Sequence, residues 1–252
     1  MEIPVARGAA GPLSLISVHA KSAHGANGRK GIALPVRDAV PLPSARSLLA
    51  HSLRERRVEC IIALGTLTNL AQLISEEPKL FEEVESVWMG GTLSEGNVTP
   101  LAEFNAYADP EAAARVRRSG LRTRVIGLDV TRHVRLRAQD LSDSPFGESP
   151  TGRVLDQALC ALMELEHPLQ GEPCALLHDP CAVVGRHLPE LCRYERKALE
   201  TCVEEGRERG RLLEHAAAGS PAVDYAVEVR GPDVSRLFLD RLAAWSGKVD
   251  TD

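Results

Sequence analysis

No stretch of the sequence approaches the roughly 18 apolar residues that a membrane-spanning helix needs. The opening MEIPVARGAAGPL has no apolar run behind a basic head, which argues against a secretory leader. A basic surplus is also lacking. The net charge is -5, whereas a surface that grips a nucleic-acid backbone is normally cationic, because phosphate contacts dominate affinity. The local cluster Arg115, Arg117, Arg118, Arg122 and Arg124 reads as a solvated helix end. None of the six cysteines forms a C-x-x-C pair, so no zinc or redox motif is suggested. A chain of 252 residues needs no disulfide to fold, and the thiols are read as reduced side chains of a cytoplasmic protein. Internal repeats and low-complexity blocks are missing too. These absences exclude membrane and nucleic-acid partners from the reading and leave a small-molecule one.

What is present becomes regular after residue 45. Residues 1–45 are rich in Gly, Pro, Ala and Ser and read as loop. Val58–Leu64 is a short apolar run, as expected of a buried parallel strand. Gly65-Thr66-Leu67-Thr68-Asn69 then leads into a helical pattern ending near Glu77, with Thr66 or Thr68 as the expected cap. Val84–Met89 and Thr123–Leu128 are further strand candidates. Asp109-Pro110-Glu111 starts a helix, with a capping Asp, Pro at the first helical position and acid in the first turn. Residues 150–166 form a long helix, and His178-Asp179-Pro180 looks like another helix start. Ala198–Val203 and Ala222–Val229 are late strands, and Val234–Trp245 is a closing amphipathic helix. Strands alternating with helices point to an α/β fold with a mainly parallel sheet. Ligands of such sheets bind outside the carboxyl ends of the strands, so the loops after Leu64, Met89, Leu128 and Leu177 matter most.

Four segments could carry chemistry. The loop after Met89 places Asn97, Glu103 and Asn105 close together in sequence. Amides and carboxylates of this kind can share hydrogen bonds with the vicinal hydroxyls of a sugar, although Asn and Gly are also ordinary turn residues. In Leu177-His178-Asp179-Pro180, the histidine could move a proton near neutral pH and the carboxylate could bind a hard cation. The alternative is a helix cap with a histidine packed beside it. His24-Gly25-Ala26-Asn27-Gly28 is a Gly-flanked histidine that reads as a ligand-facing or plain surface loop. Gly127-Leu128-Asp129-Val130-Thr131 puts a carboxylate at a strand end, where it could serve a site or cap the turn.

Taken together, these segments resemble the inosine–uridine-preferring nucleoside hydrolase family. The similarity runs in order through Pro4-Val5-Ala6-Arg7-Gly8, His24-Gly25-x-Asn27-Gly28 and Leu64-Gly65-Thr66-Leu67-Thr68-Asn69-Leu70-Ala71. It continues through Met89-Gly90-Gly91, Asn97 to Asn105, Asp109-Pro110-Glu111-Ala112, Gly127-Leu128-Asp129-Val130-Thr131 and His178-Asp179-Pro180. The resemblance implies a Rossmann-like open sheet flanked by helices and one domain over residues 1–252. It implies an enzyme that hydrolyses the N-glycosidic bond of purine or pyrimidine ribonucleosides. By the same likeness, Asn97, Glu103 and Asn105 hold the ribose hydroxyls, Met89 lines the sugar pocket, and His178 protonates the leaving base. His24 lies near the base-binding pocket. Asp179 and the backbone carbonyl at Leu64 are ligands of a calcium ion, and the assembly is a homodimer or homotetramer.

One part of the family pattern is not in this sequence. Family members open with a buried strand ending in D-x-D-x-x-x-D-D, which supplies most calcium ligands and the general base. The chain as given is therefore expected to lack the first strands, to hold an incomplete calcium site and to turn over poorly: as a fragment of an ordinary hydrolase, as a ribosyl-binding relative without catalysis, or as a chain that needs a second one to complete the site. Arg29-Lys30-Gly31 replaces a small, apolar Gly-rich stretch. The base contacts are expected between residues 132 and 175, where no decisive aromatic marks the base preference.

Overall fold

In the computed structural model, residues 3–14, 42–141, 146, 149–214 and 221–249 are described. The chain divides into two compact units. The first comprises residues 1–18, 38–130 and 182–228, and the second comprises residues 19–37, 131–181 and 229–252.

The first unit is built on a six-stranded sheet. Its strands are β1 (Cys60–Ala63), β2 (Glu85–Met89), β3 (Arg122–Ile126), β6 (Cys192–Thr201), β7 (Leu212–Glu214) and β8 (Ala222–Val229), in spatial order β1-β2-β3-β8-β6-β7. The first three strands and β8 run parallel, with Ala63 opposite Trp88, Met89 opposite Ile126 and Val125 opposite Tyr225. The β6–β7 pair is antiparallel. Parallel strands need crossovers, and helices supply them. After α1 (Ala45–Arg54), α2 (Thr68–Glu76) joins β1 to β2. Two further helices, α3 (Phe104–Ala108) and α4 (Pro110–Arg118), precede β3. Leu70, Leu73 and Ile74 of α2 and Ala112, Ala113 and Val116 of α4 face the core at helical spacing, together with Trp88, Val125 and Tyr225 of the sheet. Each such large apolar side chain contributes about 1.5–3 kcal/mol by leaving water.

The caps follow the sequence in part. Asp109 caps α4 as expected, accepting from the Ala112 N–H at 3.0 Å. Neither Thr66 nor Thr68 caps α2. Leu67 holds that position without a side-chain bond, because the Thr68 hydroxyl donates to Asp109 at 2.5 Å and meets Thr66 at 3.0 Å. The basic cluster is not wholly solvated. Arg117 is buried and donates to the Thr201 hydroxyl at 2.9 Å, and burial lowers its pKa to about 10.

In the second unit, β4 (Arg135–Arg137) and β5 (Cys174–Leu176) form an antiparallel pair. Two long helices pack on it, α6 (Pro150–Gln170) and α8 (Gly231–Val249). The short α5 (Leu128–Thr131) and α7 (His178–His187) each begin in one unit and end in the other. Among the described residues, no helix is long and apolar enough to cross a membrane, and all six cysteines are free thiols.

Candidate active site

The parallel register brings the carboxyl ends of β2 and β3 side by side, and two loops leave from there. They are bonded at once: the Gly90 N–H donates to the Ile126 carbonyl at 3.3 Å and the Leu128 N–H to the Gly91 carbonyl at 3.0 Å. Gly91 has φ +75°, and a side chain on it would run into Leu212, so only glycine suits this turn. A side chain at Gly127 would meet the Tyr225 hydroxyl and the Gly91 carbonyl.

Two carboxylates hold this junction. Glu103 is the N-cap of α3 and is 2% exposed. It accepts from the N–H groups of Gly91 (2.7 Å), Asn105 (2.9 Å) and Ala106 (3.1 Å). Asp129, in α5, accepts from the Thr92 hydroxyl at 3.1 Å, the Leu93 N–H at 3.0 Å and the Ser94 N–H at 3.1 Å, and also from the Tyr225 hydroxyl. Burial alone would raise the Asp129 pKa, but donors from Ser94, Tyr225, Leu93 and Thr92 outweigh it and hold the group ionised below the usual carboxylate range. Burial, and then the Asp129 charge, push the Tyr225 phenol upward. Asp129 was visible in the sequence as a carboxylate at a strand end. Its partner Tyr225, 96 positions away, carried no local signal.

The structure places four of the proposed sugar-site residues in this one region. Met89 ends β2 and is buried. The Asn105 amide donates to the Met89 carbonyl at 3.0 Å and lies 3.6 Å from its sulfur. That bond fixes the amide orientation and leaves the Asn105 Oδ1 as an acceptor. Asn97 is exposed, and its Oδ1 accepts from the Phe104 N–H at 2.9 Å, which leaves its NH₂ as a donor. An acceptor on Asn105, next to the buried Met89 sulfur, and a donor on Asn97 of the same loop suit hydroxyls, each of which can do both. Glu103 has a first task the sequence did not reveal, since its oxygens carry backbone donors that build the loop.

Four candidates remain. Leu64 follows β1 and is 43% exposed, and the carbonyl of the next residue, Gly65, already accepts from the Trp88 indole at 3.0 Å. His178 and Asp179 open α7 in the second unit. The His178 Nδ1 lies 2.7 Å from the Thr131 hydroxyl. Burial, and then the Arg132 charge, lower the His178 pKa to about 4, so the imidazole is neutral near pH 7 rather than titrating there as its usual pKa suggests. Asp179 is exposed in the first turn of α7. His24 lies outside the described residues.

The profile of the inosine-uridine preferring nucleoside hydrolases matches residues 1–236. The chain belongs to that family. Among relatives with this hydrolase name, the pyrimidine-specific ribonucleoside hydrolase RihA of Citrobacter koseri is 38% identical over 194 residues, 75% of this chain and 62% of that protein. The Photobacterium profundum protein of the same name is also 38% identical over 194 residues, 75% of this chain and 63% of that protein. The chain thus spans less than two thirds of the length of these relatives. A solved plant nucleoside hydrolase superposes with TM-score 0.88 at 30% identity, covering 96% of this chain and 81% of that one. A purine-preferring ribonucleoside hydrolase from Gardnerella vaginalis, at 24% identity and TM-score 0.88, covers 97% of this chain and 81% of its own and bears on the fold alone.

The nucleoside hydrolase resemblance carries an expectation of calcium, which the side chains present can test. Among the described residues, no three His, Cys, Asp or Glu side chains gather to hold a metal ion. Calcium takes 6–8 oxygens, and Glu103 and Asp129 already carry three and four donors. The described residues therefore do not fit a complete calcium shell.

Proposed function

We propose that this chain acts on ribonucleosides, hydrolysing the N-glycosidic bond to release ribose and the free base. The observation that carries the reading is the cluster of Met89, Asn97, Glu103 and Asn105 at the carboxyl end of β2, in a chain of nucleoside hydrolase fold. In this reading, the Asn105 Oδ1 and the Asn97 NH₂ hold ribose hydroxyls, and the Met89 sulfur lines the sugar face. Water adds at the anomeric carbon as the bond to the base breaks, and positive charge builds on the sugar, as in other glycoside hydrolyses. His178 supplies the proton with which the base leaves, donating from its imidazolium form, which the lowered pKa makes scarce near pH 7 but strongly acidic; one proton of the added water is released to solvent and the imidazole is reprotonated from there. His24 contacts the base, and Asp179 and the Leu64 carbonyl are offered to calcium, as the family resemblance implies.

The reading also takes residues 1–252 as one functional domain, cytoplasmic and assembling as a homodimer or homotetramer. Reduced thiols and the family likeness support this. The test is hydrolysis of uridine and inosine by the purified 252-residue chain, with and without added calcium. The relatives named pyrimidine-specific make uridine the first substrate to try. Release of free base, lost in His178→Ala, supports the hydrolase reading. Saturable nucleoside binding without release favours a ribosyl-binding relative, and neither binding nor release contradicts both.

A further inference from the structure

We propose that Asp129 is a positioning residue for the ribose contacts, holding the Thr92–Ser94 turn and with it the start of the loop that carries Asn97. The proposal deepens the ribonucleoside reading and rests on it. Four donors converge on this one half-buried carboxylate, and three belong to consecutive residues of the loop: the Thr92 hydroxyl and the Leu93 and Ser94 N–H groups. The fourth, Tyr225, comes from β8, the neighbour of β3 in the sheet. Asp129 thus ties a turn that runs from buried Thr92 to exposed Ser94 to the sheet interior.

The preceding residue is held from two further directions, its N–H by Glu103 and its carbonyl by the Leu128 N–H. Residues 91–94 are therefore gripped at each step by two carboxylates and one backbone bond. The packing leaves no slack, because a side chain at Gly127 would strike the Tyr225 hydroxyl and the Gly91 carbonyl. Hydrogen bonds to an ionised acceptor are roughly twice as strong as neutral ones. A loop fixed before binding avoids the ordering cost that a mobile one incurs when ligand arrives. Asp129 acts through the loop: its Oδ2 accepts from Thr92, Leu93 and Tyr225, and its Oδ1 from Ser94.

The experiment compares wild type, Asp129→Ala, Asp129→Asn and Leu73→Ala. Leu73 is a buried α2 residue outside the site, so its truncation controls for plain loss of stability. All are assayed with uridine well below their melting midpoints, and backbone amide exchange is recorded in parallel. Asp129→Ala is expected to raise KM about tenfold with kcat within about threefold, the signature of lost ground-state binding. Asp129→Asn, which keeps one acceptor oxygen, is expected to recover part of that loss, and Leu73→Ala to keep the wild-type KM. The Leu93 and Ser94 amides should exchange faster in Asp129→Ala and remain protected in Leu73→Ala. A wild-type KM in Asp129→Ala, or a KM rise equalled by Leu73→Ala, overturns the positioning role. If wild type hydrolyses neither uridine nor inosine, the hydrolase reading falls separately, and the exchange of Leu93 and Ser94 decides. Selective loss of protection in Asp129→Ala supports the clamp, and unchanged protection overturns it.

Discussion

The junction after β2 and β3 and the start of α7 both carry acidic residues, yet the two places use them differently. At the junction, Glu103 and Asp129 accept from seven donors between them, five of them backbone N–H groups, and they build the loop. At α7, Asp179 is exposed and His178 leans on Thr131. The comparison teaches that a carboxylate close to a site need not be one of its reactive groups. In the first region, negative charge fixes backbone geometry, and the groups left facing outward are neutral amides, suited to neutral hydroxyls. In the second, a neutral histidine and an exposed carboxylate stand at a helix start, where the helix dipole favours the acid.

If this division holds, the largest effect on folding should come from Glu103→Ala. It strips three N–H groups of their acceptor in a buried place, and we expect a loss of about 3 kcal/mol in urea unfolding. A loss below about 1 kcal/mol would break the comparison, because Glu103 would then not be architectural. His178→Ala should invert the pattern. Stability should change little, while nucleoside hydrolysis should fall roughly a hundredfold or more, as for loss of a general acid. A variant that melts far lower but hydrolyses normally would place His178 among the structural residues.

The smallest effect concerns pH. The Asp129 pKa is lower in the folded chain than in the unfolded one, so its stabilising contribution is present above the unfolded carboxylate pKa of about 4 and is lost as pH falls through the folded value. Unfolding midpoints measured across this acid window should fall less steeply in Asp129→Asn than in wild type. Equal slopes would show that the carboxylate gains nothing from its donors.

Much of the sheet was legible because apolar runs announce parallel strands. Ala222–Val229 forms β8 with the bounds expected of it, and the Asp109 cap was found from Asp-Pro-Glu. The expected Ala198 start misses the first part of β6, which begins at Cys192. Its outer positions carry Arg193, Arg196 and Lys197, which pair with Glu228, Asp224 and Glu214 of neighbouring strands, so local polarity hides a strand. The three-residue β4 and β5 are too short for a period to register. The grouping of Asn97, Glu103 and Asn105 was readable because they share one loop. The work of Asp129 was not, since it depends on a tyrosine from a distant strand. Nor could spacing reveal that burial beside Arg132 keeps His178 neutral.

The most direct measurement is calorimetric titration of uridine into the wild-type chain and into Asn105→Ala, below the melting midpoint of either. Saturable binding by wild type that weakens about tenfold or more in Asn105→Ala, a free-energy difference of about 1.4 kcal/mol, is the expected result. Equal affinity in the two proteins would contradict the assignment of the ribose site to the loop after β2.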